Sequence, residues 1–93
     1  MSKPEPRIDV DSLEGELLAL VAGRILDVGP DFHARSSLAE AGLDSMAVMQ
    51  LLVAIEDRFG LWLPESDLVP ANLESVGALA RLLAERLRGA GGD

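Results

Sequence analysis

The sequence predicts an all-α fold, a four-helix bundle of three long helices and one short third helix, with a long first loop. Three stretches carry apolar residues at helical spacing. No stretch alternates convincingly as a strand does, and Gly and Pro punctuate the intervals. Apolar residues make up 48% of the 93 positions and aromatics only 3%. Aliphatic packing and helix propensity must therefore hold one domain, near the lower size limit for a self-sufficient core.

Residues 1–10 read as a disordered N-terminal lead, with two prolines and mixed charge. Asp11 and Glu14 have capping-box spacing, which places the first helix start at Asp11. From there Leu13, Leu17, Leu20, Val21, Ile25 and Val28 form the inward stripe, to about Asp27 or Val28. Gly15 and Gly23 each weaken this helix by up to about 1 kcal/mol relative to Ala. Gly29-Pro30 ends it. Residues 29–43 follow no period. Phe32 and Leu38 are the expected anchors that fold this connection over the bundle, with a helical turn at Leu38 to Ala41.

The central helix runs to about Phe59. At about 100° per residue, Val48, Leu51, Leu52, Ile55 and Phe59 fall on one side, a normal core-facing stripe. The opposite side holds Met46, Met49, Gln50, Val53, Glu56 and Asp57. Three of those six side chains are apolar where solvent is expected. Gly60 stops the helix, Leu61-Trp62-Leu63-Pro64 is extended, and Glu65 to Val69 makes one short helical piece before Pro70. Ser75 caps the last helix, with Asn72 as a rival. Val76, Leu79, Ala80, Leu83 and Leu87 form its stripe. Arg81, Arg86 and Arg88 lie toward its C-terminal end, where cations suit the helix dipole. Gly89 is its expected stop, and residues 89–93 its disordered tail.

Composition excludes several functions. No cysteine is present, and one histidine, His33, cannot build a metal site alone. His33 reads as a solvated loop residue. A net charge of −8 opposes nucleic acid and anionic membranes and favours basic protein partners. No apolar run has the length of a membrane span and residues 1–10 lack an apolar signal core, so a cytoplasmic protein is expected. As a nucleophile Ser45 lacks a neighbouring base and a Gly-x-Ser-x-Gly elbow. The carboxylate pairs Glu56/Asp57 and Glu65/Asp67 read as solvent-facing charges. No enzyme is expected.

Asp44-Ser45 before an apolar run is also what a helix N-cap looks like. Its setting carries more. The stretch Gly42-Leu43-Asp44-Ser45-Met46, between a long loop and an amphipathic helix, resembles the (G)-(L/A)-D-S-(L/M) signature of acyl carrier proteins and peptidyl carrier domains. The resemblance spans about residues 12–88 and sets a carrier domain at 11–88, with a carrier-protein bundle as its fold. It implies that 4′-phosphopantetheine, taken from coenzyme A, is esterified to Ser45. It implies that Asp44 helps bind the phosphopantetheinyl transferase and its metal. Partner recognition falls to Met46, Met49, Gln50, Val53, Glu56 and Asp57, with Trp62 either adding a contact or packing on the helix. Acyl- or aminoacyl-loading enzymes and downstream synthases are the expected partners, and the chain is expected to be a monomer.

Ala47 and Gln50 stand where fatty-acid carriers commonly have Asp and Glu. Between Asp44 and Pro70 five carboxylates face one guanidinium. That patch is acidic yet more apolar than in the fatty-acid type, which points to polyketide, nonribosomal peptide or related biosynthesis. The alternative is an unmodified helical adaptor docking through Met46, Met49 and Val53. It explains the second apolar stripe equally well. It does not explain an Asp-Ser pair where the loop meets that stripe.

Overall fold

In a computed structural model of the chain, which describes residues 9–91, each α-helix starts on a side-chain cap and the central one stops on a glycine. Residues 1–8 and 92–93 lie outside this description, and with them most of the expected lead and the end of the expected tail. Helix α1 spans Val10–Leu20. Its cap is Asp9 rather than Asp11, two residues earlier than the spacing suggested. Asp9 is extended, at φ −112° and ψ 114°, and its carboxylate accepts the Asp11 N–H at 3.1 Å. Asp11 is already helical, and the Glu14 side chain lies over Gly77 instead of turning back to a cap.

A π-helical turn, Val21–Ile25, continues α1. The Leu26 N–H donates to the Val21 carbonyl at 2.8 Å, a five-residue step. That wider step carries Leu26 into the core beside Val21. Ile25 and Val28, expected inside on α-helical spacing, are half-buried as a result. The inserted residue shifts the phase.

Helix α2 spans Ser45–Phe59 and ends at Gly60, whose φ of 69° is the left-handed cap that glycine adopts without strain. A single 3₁₀ turn, Glu65–Asp67, stands for the short third helix, so the α-helices proper number three among the described residues. Helix α3 spans Val76–Gly91 and runs through Gly89, the expected stop. Ser75 is its cap, accepting the Ala78 N–H at 3.1 Å. The rival Asn72 instead donates to the Asp67 carbonyl at 2.8 Å.

The core joins α1, α2 and α3 through Leu13, Leu17, Leu51, Ile55, Leu79 and Leu83. Helix α1 packs chiefly on α3, and α2 on the π-helical turn. More than one stripe of α3 is inside, since Ala78, Leu82 and Ala84 are buried beside the predicted residues.

The long first loop is tied to α3. Its anchor Leu38 is fully buried, and Phe32 half-buried. The Leu38 N–H donates to the Glu74 carbonyl at 3.0 Å, and the Gly77 N–H to the Ala34 carbonyl at 2.8 Å. At that second tie the backbones meet so closely that a Cβ on residue 77 would stand 3.3 Å from the Ala34 oxygen. Glycine fits there. The expected turn forms, with the Ala41 N–H on the Ser37 carbonyl and the Leu43 N–H on the Leu38 carbonyl. Gly42, at φ 108°, then redirects the chain into α2.

Candidate functional site

The start of α2 separates two roles that the sequence leaves merged. Asp44 is the N-cap: its Oδ1 accepts the Ala47 N–H at 2.9 Å. Ser45 is the first helical residue, exposed to solvent. Because the carboxylate satisfies the amide, capping makes no demand on the Ser45 hydroxyl. That hydroxyl stands at the positive end of the helix dipole, where an attached anion is stabilised.

The outward face of α2 is as the sequence describes it. Met46 is 71% exposed, Met49 55% and Val53 57%. Gln50, Glu56 and Asp57 are exposed beside them. Ala47 behaves differently. It is buried, so its lack of a charge reflects packing, whereas Gln50 is a genuine difference on the solvent face.

Trp62, 49% exposed, follows the far end of α2 and is not brought to the Ser45 end. At about 1.5 Å per residue, the length of the helix puts roughly 20 Å between them.

Two grooves flank this face, and neither was read from the sequence. One begins at Asp44 and Ser45 and is walled by Leu43, Val48 and Met49 on one side and Leu68 and Leu73 on the other. Val48, predicted to face the core, is half-buried and lines it. The other lies between α2 and the π-helical turn, lined by Arg24, Ile25, Met49, Val53 and Asp57. Each wall comes from an element remote in sequence from α2, which periodicity within one helix does not reveal.

The Glu65/Asp67 pair needs correction. Glu65 is exposed, but Asp67 is buried at 6%. Its carboxylate takes both donors of the Arg86 fork, with Nε on Oδ2 at 2.8 Å and Nη2 on Oδ1. Hydrogen bonding from Arg86 holds the Asp67 carboxyl below the ordinary aspartate range. Burial opposes the shift, and the guanidinium charge adds to it. Asp67 in turn raises Arg86 further above its already high range. Arg86 therefore acts on a buried partner, beyond its expected dipole role. His33 serves the loop: its Nδ1 accepts the Arg35 N–H at 3.1 Å.

Among the described residues no group of three His, Cys, Asp or Glu side chains is placed to hold a metal. No helix there is long and apolar enough to cross a membrane. The geometry thus supplies an exposed hydroxyl at a helix start, an apolar groove that opens beside it and an outward apolar face along the same helix.

A family model described as the phosphopantetheine attachment site covers residues 16–83, and the chain belongs to that family of carrier proteins. Its prosthetic group is 4′-phosphopantetheine, and the protein is a carrier, not itself an enzyme.

Aminoacyl carrier protein 2 of Bradyrhizobium diazoefficiens is 35% identical over 60 residues, 64% of this chain and 67% of that protein. Aminoacyl carrier protein 1 of the same organism is 30% identical over 79 residues, 82% of this chain and 87% of that one. The fold matches, at a TM-score of 0.62 and 22% identity, a chain in the crystal structure of Bradyrhizobium japonicum glycine:[carrier protein] ligase with its cognate carrier protein and an analogue of glycyl adenylate. That match covers 82% of this chain and 96% of the other.

Proposed function

We propose that Ser45 carries the 4′-phosphopantetheine and that the protein is an aminoacyl carrier, with residues 11–88 as its carrier unit. The observation that carries this reading is the exposed Ser45 hydroxyl at the first turn of α2, with capping assigned to Asp44. In the loading step a phosphopantetheinyl transferase accepts the hydroxyl proton. The Ser45 Oγ forms a bond to the phosphorus next to the pantetheine as the pyrophosphate bond of coenzyme A breaks, and adenosine 3′,5′-bisphosphate leaves. When bound, the group supplies a terminal thiol that holds an aminoacyl or acyl cargo as a thioester.

The chain's own residues do the rest. The α2 N-terminus offsets the phosphodiester charge. Asp44 adds a second negative charge beside it, one that suits a partner's cation or a partner-bound Mg²⁺. Met46, Met49 and Val53 offer soft apolar contact, and Gln50, Glu56 and Asp57 surround it with polar and acidic groups. Methionine repacks readily against different surfaces, so one face serves several enzymes in turn. Aminoacyl cargo is favoured because the similar Bradyrhizobium proteins are named for it. A loading ligase of the glycine:[carrier protein] kind and a downstream synthase of specialised biosynthesis are the partners that follow. This reading places the protein where coenzyme A is found, in the cytoplasm.

The test is an intact-mass spectrum after incubation with coenzyme A, Mg²⁺ and a promiscuous transferase. One added phosphopantetheine on the peptide containing Ser45, lost in Ser45→Ala, is expected. Loading of Ser45→Ala would move the attachment elsewhere. No mass change in the folded wild type would favour the unmodified adaptor.

A further inference from the structure

Asp67 is the charged residue that the described core buries. It sits in a 3₁₀ turn, Glu65–Asp67, without a side-chain cap, inside the connector between α2 and α3. From Leu61 to Leu73 the backbone hydrogen bonds stay within the connector: Asp67 to Pro64, Leu68 to Glu65, and Asn72 and Leu73 to Val69 and Pro70; its tie to the rest of the backbone comes at Glu74, whose carbonyl accepts the Leu38 N–H. What fastens it to the helices is the buried Leu63, half-buried Leu61, Leu68 and Leu73, and the forked bond between Asp67 and Arg86 of α3. Leu68 follows Asp67 directly, and with Leu73 it forms the far wall of the groove that opens at Ser45.

We propose that the Asp67–Arg86 ion pair is a latch that holds this connector as the groove's far wall, and so sets how closely a Ser45-bound arm is sheltered. The second half rests on the assignment of Ser45; the first half does not. The geometry favours a latch over a general brace. A buried carboxylate deprived of its partner is unfavourable where it stands. The cheapest relief is for a short turn to swing Asp67 into water, and Leu68 moves with it. Helices α1, α2 and α3 keep their shared aliphatic core in that motion, so the opening stays local.

Amide hydrogen exchange on the unmodified protein reads the latch alone. In Asp67→Asn and in Arg86→Gln, exchange across residues 65–73 should rise by about tenfold while core amides of all three helices keep their rates. Unchanged exchange in that stretch overturns the proposal. So does an equal rise throughout, or outright unfolding of both variants, because the pair then braces the whole bundle.

On the phosphopantetheinylated protein carrying an aminoacyl thioester, cleavage by hydroxylamine should accelerate severalfold in both variants. It should also accelerate in Leu68→Ala, which opens the wall with the pair intact. A thioester rate indifferent to all three overturns the sheltering role. Failure of the transferase to add mass at Ser45 would count against the attachment reading, and the exchange result would still decide the latch.

Discussion

Asp44 has an observed role and a proposed one, and one pair of substitutions separates them. As N-cap it accepts the Ala47 N–H at 2.9 Å. In the proposed loading reaction it is an exposed carboxylate beside Ser45, a negative charge offered to the transferase. Asn keeps the acceptor and removes the charge, and it caps about as well as Asp. Asp44→Asn should then lose only the charge–dipole part, at the low end of about 0.3–1 kcal/mol for an exposed site. For a domain of this size, 1 kcal/mol corresponds to about 4–8 °C, so the melting temperature should fall by only about 1–3 °C. Asp44→Ala loses the cap as well, typically about 1 kcal/mol, and should melt about 4–8 °C lower.

Loading should follow a different order. If the carboxylate is used in the complex, both variants lose a charged contact and load at least about tenfold slower, since hydrogen bonds to charged groups contribute about 1.5–3 kcal/mol. Thermal melts by circular dichroism and transferase time courses by mass spectrometry separate the two roles. An Asp44→Asn protein that loads at the wild-type rate would refute the functional half. An Asp44→Ala protein as stable as wild type would refute the capping half.

Two further outcomes follow from burial. Leu38→Ala empties a fully buried site under the first loop, and a loss of about 2–5 kcal/mol is expected in urea unfolding; a loss under about 1 kcal/mol would mean that Leu38 does not anchor the loop. Because Arg86 lowers the Asp67 carboxyl, that pair's stabilisation is present above the ordinary aspartate value of 3.8 and disappears as pH falls through the lowered folded value. The melting-temperature gap between wild type and Asp67→Asn should therefore be constant near neutrality and begin to narrow as pH falls below about 4; a gap that stays the same or widens on acidification would contradict it.

What the sequence revealed and what it hid divide along sequence distance. The two faces of α2, the exposed Ser45 and the left-handed stop at Gly60 are local properties. Helical period, cap chemistry and glycine's freedom suffice for them. The start of α1 was misplaced because Asp9 and Asp11 are chemically equal caps, and only backbone conformation chooses between them. The π-helical turn was hidden because no residue type specifies one extra residue in a turn; its trace is the burial of Leu26 in place of Ile25. The Asp67–Arg86 bond was hidden most completely. Nineteen residues separate its partners, and each has an adequate local explanation as a surface charge or a dipole partner. A carboxylate between Leu63, which is buried, and Leu68, which is half-buried, was the available signal.

The outward face of α2 is sized for release as much as for binding. Fully burying a Met or Val side chain gains about 1.5–3 kcal/mol over leaving it in water. Met46, Met49 and Val53 are already partly covered, at 71%, 55% and 57% exposure, so each has roughly half to two-thirds of that still to gain. Together they offer a partner a few kcal/mol. Association itself costs at least about 4 kcal/mol in lost freedom of motion. The apolar face alone at best roughly offsets that cost, so any appreciable affinity draws on the acidic groups around it meeting a basic partner. Such contacts between exposed charges act more on encounter rate than on residence. The proposed shuttling from one enzyme to the next needs that balance. A permanent adaptor would need a larger buried area than the three exposed apolar residues of α2 provide.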